Sequence, residues 1–217
     1  MAETNKPETV ARRDAEGWYG KFTPADQLGI DIGCGADPIN QTFDRWDKPE
    51  GDATFMDGVP DGHYHTVYAS HILEHLSNPW LAVEHWYRIL AEGGHLIVCV
   101  PHRDLYEKRS DLPSDWNGEH KWFFLPDESE APCTLSLRRV VESRCIGGVI
   151  VHCETLSEGY VANGEGHPGG EYSIEIIVHK PIEQQQDDTW DTLTSPITIA
   201  ELKARVIASL SDTEEEE

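Results

Sequence analysis

The chain has 217 residues, with 40 acidic against 17 basic side chains and a formal net charge of -23. That length supports one domain with a proper core, and so acidic a field repels polyanions, which disfavours a nucleic-acid or anionic-membrane substrate. The five cysteines, Cys34, Cys99, Cys133, Cys145 and Cys153, form no C-x-x-C pair, which argues against a disulfide framework or a cysteine zinc site.

The start MAETNKPETVARRD is polar and no apolar run reaches membrane-spanning length. No membrane insertion is expected, and a cytoplasmic protein is. Residues 1–25 read as a polar lead-in whose Trp18, Tyr19 and Phe22 pack back on the domain. Leu28 to Ile32 is a short apolar run that stops at a glycine cluster, as a buried strand feeding a tight loop does. QTFDRWD and DATFMD are short strand candidates, and HTVYAS over 65–70 is a stronger one, rich in β-branched and aromatic residues. Asn78-Pro79 then offers an N-cap followed by proline at the first helical position. Val83, Trp86, Tyr87 and Leu90 recur at helical spacing, with Gly93-Gly94 expected to close the helix.

HLIVCVP, 95–101, is the near-continuous apolar run of a strand buried on both faces. A polar, aromatic-rich loop over 102–126 leads to a helix near 134–145, and GGVIVHC and YSIEIIVHK follow as two consecutive strands. The alternation predicts an α/β sandwich, mostly parallel, with an antiparallel hairpin at one edge. From Glu183 the composition changes. Residues 183–194 read as a linker and 195–217 as an amphipathic helix with an acidic tail, in which Ser195 is the N-cap and Ile199, Leu202, Val206 and Leu210 form one apolar stripe.

The chemistry concentrates in DIGCGADP, 31–38. Two glycines one residue apart, just past a strand, let the backbone bend sharply and approach a ligand. A dinucleotide loop would continue G-x-G-x-x-G and receive a pyrophosphate. Here Asp31 and Asp37 put negative charge where a phosphate would go, so the ligand should bring positive charge.

In the same order as in that family, GIDIGCGADP, GDATFMDGVPDGHYHTVYASHILEHL, WLAVEHWYRILAEGGHLIVCVP and HRDLYE with EHKWFF make the chain resemble the class I S-adenosylmethionine-dependent methyltransferases of the type 11 group, over about residues 17–180. The resemblance implies a Rossmann-like, three-layer α/β sandwich of about seven strands over 26–182, with S-adenosyl-L-methionine across the C-terminal ends of the first strands. It implies that Gly33 and Gly35 line the methionine moiety, that Asp31 reaches its ammonium, and that His71 comes near the same part. Asp44 is the candidate for the ribose hydroxyls, with Asp47 as fallback, and Asp52 and Ala53 hold the adenine. A carboxylate suits a diol because it accepts from both hydroxyls. Only twelve residues separate Asp31 from Asp44 and seven separate Asp44 from Asp52, so the sheet is expected to be abbreviated near strands 2 and 3. Asp37 replaces the third glycine of the family's loop, and His65 its usual aspartate.

SHILEH, 70–75, also fits the H-x-x-E-H pattern of a zinc peptidase class, in which a helix would bring His71 and His75 to one face. That reading needs a third ligand from a separate helix, and nothing downstream singles one out. The string stands at the strand exit where the resembled family carries it without zinc, so no metal is expected. The acceptor is expected to meet the loop after the apolar strand. There His102 or His120 would act as base with Asp104 orienting, and Trp116, Trp122, Phe123 and Phe124 would either wall the site or pack. The function expected is methyl transfer to a small-molecule or saccharide acceptor, at a hydroxyl. The competing reading is a non-catalytic fold of the same kind that docks a protein partner, or a second copy, through residues 195–210.

Overall fold

The structure, a computed structural model, describes residues 6–35, 38–164 and 166–183. The chain divides into two units, Met1–Ile182 and Glu183–Glu217. The expected helix over 195–210 and nearly all of the 183–194 linker lie outside the described residues, as does Asp37.

In chain order the first unit runs α1 (Lys6–Ala15), α2 (Trp18–Phe22), β1 (Gly29–Ile32), β2 (Asp44–Trp46), β3 (Tyr64–Ser70), α3 (Pro79–Ile89), β4 (Leu90–Pro101), β5 (Phe123–Leu125), β6 (Thr134–Ser136), α4 (Leu137–Arg144), β7 (Val149–Leu156) and β8 (Ser173–His179). Six strands form the main sheet in the order β2-β1-β3-β4-β8-β7, and β5 and β6 form a small second sheet. The first four strands are parallel, while β8 runs antiparallel between β4 and β7. This is the α/β sandwich with an antiparallel C-terminal hairpin that the sequence pattern predicts. The abbreviation near strands 2 and 3 takes a definite form: DATFMD is a chain of turns, not a strand.

One face of the sheet, through Ile30, Val67, Val98 and Ile176, packs on Val83 and Trp86 of α3 and Val141 of α4. The other face presents Tyr68, Ile97 and Ile177 to Tyr19 and Phe22. The expected lead-in is therefore helical and supplies the second helical layer. Polar groups tie it down. The Tyr19 hydroxyl donates to the fully buried Glu175 at 2.9 Å, and Arg12 pairs with Glu171 at 2.7 Å. Burying a carboxylate is costly unless it is hydrogen-bonded, so α1 and α2 lie where Glu175 and Glu171 are satisfied.

Helix α3 starts as read, with Asn78 accepting from the Leu81 amide and Pro79 at the first turn. It ends earlier than read, at Ile89 rather than at Gly93-Gly94. The Lys180 ammonium donates to the carbonyls of Tyr87 and Leu90 at 3.2 and 2.7 Å, and a cation there satisfies the terminal carbonyls and the helix dipole. The two glycines instead lie in an irregular stretch of β4, where the register against β3 shifts.

His95, in β4, lies against Phe22 and His179 with ring centroids 5.0 and 4.9 Å away. Burial, and then His179 and Lys21, lower its pKa to about 4. Between that value and the ordinary 6.5 the unfolded chain takes up a proton that the fold refuses, so stability falls as pH drops through this window. Replacing His95 by Gln should shrink the loss of urea midpoint between pH 7.5 and 4.5; equal losses in the two chains would refute the assignment.

Candidate active site

Past β1 the chain turns at Gly33, whose φ is +73°, and a Cβ there would lie 2.9 Å from Cβ of Ile72. The position needs glycine for both its backbone angle and its neighbour. The bend is fastened to the end of β2. The Gly33 amide donates to the Trp46 carbonyl at 2.7 Å, the Gly35 amide donates to Oδ2 of Asp47 at 3.1 Å, and the Arg45 guanidinium meets the Gly35 carbonyl. Asp31, fully buried, accepts from the Ile39 amide at 2.7 Å and so holds the chain on the far side of the loop.

Residues 47–63 have no strand or helix, yet their carbonyls are held. The Trp86 indole donates to Ala53 O at 2.8 Å. The Arg88 guanidinium donates to Val59 O at 2.8 Å and Met56 O at 3.3 Å, and pairs with Asp61 at 2.5 Å. Side chains of α3 thus replace the missing ladder, while Asp52 turns its own loop by accepting from the Thr54 amide at 2.7 Å.

Beyond β3, His71 adopts a left-handed φ of +54° and its amide donates to Cys99 O at 2.9 Å. Leu73–His75 is a single 3-10 turn, so His71 and His75 do not share the face of an α-helix as the peptidase pattern requires. The amides of Lys121 and Trp122 donate to Glu74 O at 2.8 and 3.3 Å, and the Trp122 indole donates to Leu76 O at 3.1 Å. This lacing brings His120 beside Glu74. His120 Nδ1 lies 2.5 Å from Oε1 of Glu107, at the end of the π-helical turn Arg103–Glu107. Oε1 of Glu74 lies 3.9 Å from Nε2 of both His75 and His120. Burial pushes the Glu74 carboxyl up to about 7, against the attraction of His120. Burial, then His120, holds His75 below its ordinary value.

These segments surround a cavity of about 740 Å³, lined by Gly33, Asp47, Asp52 and Ala53 on one side and by His75 and His120 on another. Of the residues singled out from the sequence, Gly33, Asp52, Ala53 and His120 line it, as do the fallback acid Asp47 and His75 of the SHILEH string. Asp31, Gly35, Asp44, His71, His102 and Asp104 are not among its lining residues. Asp44 pairs in register with Ile30, two residues before the end of β2, and accepts from the Tyr64 hydroxyl at 2.8 Å. Ligands of open α/β sheets bind beyond the C-terminal ends of the strands, which is where Asp47 stands. His71 directs Nε2 to Ser173 Oγ at 2.9 Å. His102 accepts from the Asp104 amide and so caps the turn after β4, and Asp104 pairs with Arg103 at 2.7 Å. Phe123 and Phe124 are core, and the Trp116 indole donates to Tyr106 O. Glu107, unremarked in the sequence, and Glu74, read there only as the acid of the peptidase-like string, are the buried carboxylates beside His120.

The chain belongs to the class I S-adenosylmethionine-dependent methyltransferases: the family model described as a methyltransferase domain matches residues 16–136, more than half of its length. No curated protein matches it. Among solved structures it is similar to the cyclase SpnF, at 15% identity and a TM-score of 0.51, covering 83% of this chain and 84% of that one. A protein from work on the conversion of a disulfide bond into a thioacetal group during echinomycin biosynthesis gives 10% identity and a TM-score of 0.50, over 85% and 87%. The YcgJ protein of Bacillus subtilis gives 11% and 0.49, over 81% and 99%. Likeness at these identities concerns the fold. Among the described residues no helix is long and apolar enough to cross a membrane.

A Gly33→Ala chain should lose roughly 1 kcal/mol or more of stability, the usual result of forcing a side chain into a left-handed position. Ile72 should be pushed at the same time, and Ile72→Ala should restore part of the loss by removing the clash. A urea midpoint unmoved by Gly33→Ala would contradict this.

Proposed function

We propose that the cavity binds S-adenosyl-L-methionine on the side of Gly33, Asp47, Asp52 and Ala53, and receives a small-molecule hydroxyl acceptor on the side of His75 and His120. The observation that carries this reading is one cavity shared by a bare, bent backbone, two carboxylates and two imidazoles. Its volume is in the ordinary range for small-molecule and cofactor sites. The residues fit the cofactor: Gly33 keeps a Cβ out of the cradle, and Ala53, with its carbonyl fixed by Trp86, offers an ordered edge for an adenine. Asp47 would take the ribose hydroxyls in place of Asp44, and Asp52 the adenine amine. The cofactor supplies an electrophilic methyl group on a sulfonium.

What the chain itself supplies is alignment and charge. Methyl transfer gains chiefly from holding nucleophile and methyl in line, and a hydroxyl must shed its proton as it attacks. His75 and His120, with the buried Glu74 behind them, form the part of the cavity suited to draw that proton away, with Glu107 orienting the His120 ring. His102 and Asp104 are occupied in capping and pairing, so His120 is the better supported of the expected bases. A saccharide hydroxyl stays within the acceptor class. The tryptophan lining the cavity is Trp46, while the aromatic row of 122–124 is engaged in packing.

Calorimetry with S-adenosylmethionine and S-adenosylhomocysteine tests the cofactor assignment. Asp47→Asn and Asp52→Asn should each weaken binding about tenfold or more, as loss of a hydrogen bond to a charged group does, whereas Asp44→Asn should leave it within about twofold. Absence of any binding by the unaltered chain at millimolar ligand would end the proposal, and equal effects at 44 and 47 would overturn the choice of acid.

A further inference from the structure

The Glu74 side chain is 1% exposed, and among the described residues neither carboxylate oxygen has a hydrogen-bond partner. Among the described residues the basic groups within 4.0 Å of it are three imidazoles: His71 Nδ1 at 3.8 Å, and Nε2 of His75 and of His120 at 3.9 Å each. No lysine or arginine among the described residues pairs with it in that range. A second carboxylate, Glu107, is equally buried one imidazole away. Two carboxylates buried side by side, with only imidazoles beside Glu74 among the described residues, are costly to ionise. The arrangement has the composition of a ligand set.

Its dimensions agree. The donor atoms of Glu74, His75 and His120 all lie within 4.8 Å of one another. Bonds of about 2.0–2.2 Å to a first-row divalent ion place ligand atoms about 3 to 3.5 Å apart, so the three donors need to close only modestly. Glu107 at His120 Nδ1 adds the outer carboxylate that usually fixes a metal-binding imidazole, leaving Nε2 to face Glu74. One carboxylate with two imidazoles suits Mn²⁺, Fe²⁺, Co²⁺ or Zn²⁺ better than Mg²⁺ or Ca²⁺, which prefer oxygen.

We propose that Glu74, His75 and His120 bind one divalent transition-metal ion at the wall of the cavity, where its open positions take an oxygen of the acceptor. Since His75 and His120 line the cavity, a ligand entering it reaches the ion. With the ion bound, His120 is a ligand and no longer the base; the ion instead lowers the pKa of a bound hydroxyl, which selects acceptors that carry a hydroxyl able to coordinate. This role rests on the methyl-transfer reading above; the existence of the ion site does not.

The test uses the full chain, stripped with a chelator and titrated with Mn²⁺ by calorimetry and electron paramagnetic resonance, alongside metal analysis of the chain as purified. One equivalent should bind with micromolar affinity. Glu74→Gln and His120→Asn should each weaken it about a hundredfold, and Glu107→Gln about tenfold, the usual range for an outer partner. A thermal shift with S-adenosylhomocysteine, kept in the variants, shows that they fold and separates this outcome from the cofactor reading. Absence of an equivalent in the unaltered chain, or uptake unchanged by both Glu74→Gln and His120→Asn, as the acidic carboxyl-terminal residues alone would give, overturns the site.

Discussion

Two backbone carbonyls, those of Glu74 and Leu76, decide where the long loop after β4 comes to rest. They accept from two successive amides and one indole of residues 121–122, just before β5. With them, His120 stands over the turn after β3, Glu74 is sealed from water, and the cavity gains its second side. With the bonds of Trp116 to Tyr106 O and of His120 to Glu107, they give a long polar segment one path. Everything inferred about the acceptor depends on this lacing.

The sheet, by contrast, depends on ordinary burial. Leu96, Val98 and Val100 face α3 and α4 while Ile97 and Cys99 face the opposite side, so β4 is apolar throughout and is readable as such. The strand at 64–70, the start of α3 at Asn78-Pro79 and the terminal pair β7 and β8 are legible for similar reasons: periodicity, capping chemistry and β-branched content are local properties. So is the bend at Gly33, where glycine after a buried strand carries its own meaning.

What was not legible was set by partners distant in sequence. The end of α3 moved because Lys180, some ninety residues on, caps it. DATFMD has strand-like composition, but Trp86 and Arg88 take the carbonyls that a ladder would have used. Asp44 and Asp47 are alike by residue type, and a register of three pairs with β1 distinguishes them. His120 is visible as one of two loop histidines, yet that Glu74 and Glu107 are its neighbours follows only from how the loop closes. The amino-terminal helices were hidden by their polarity, since arginines and a tyrosine there answer carboxylates on β8 and beside it.

Helix α3 has a consequence for how the two sides of the cavity behave together. Its first turn follows directly on Ser77, which receives the Lys121 ammonium, and its last turns carry the indole and guanidinium that grip residues 53–61. Eleven residues make a rod of about 16 Å, buried along one side and free of internal glycine or proline beyond its start. The corner at residues 53–61 and the imidazole cluster are therefore mounted on one stiff beam. Their separation is fixed by helical rise, and a displacement imposed at either mounting is carried to the other with no joint between them to absorb it.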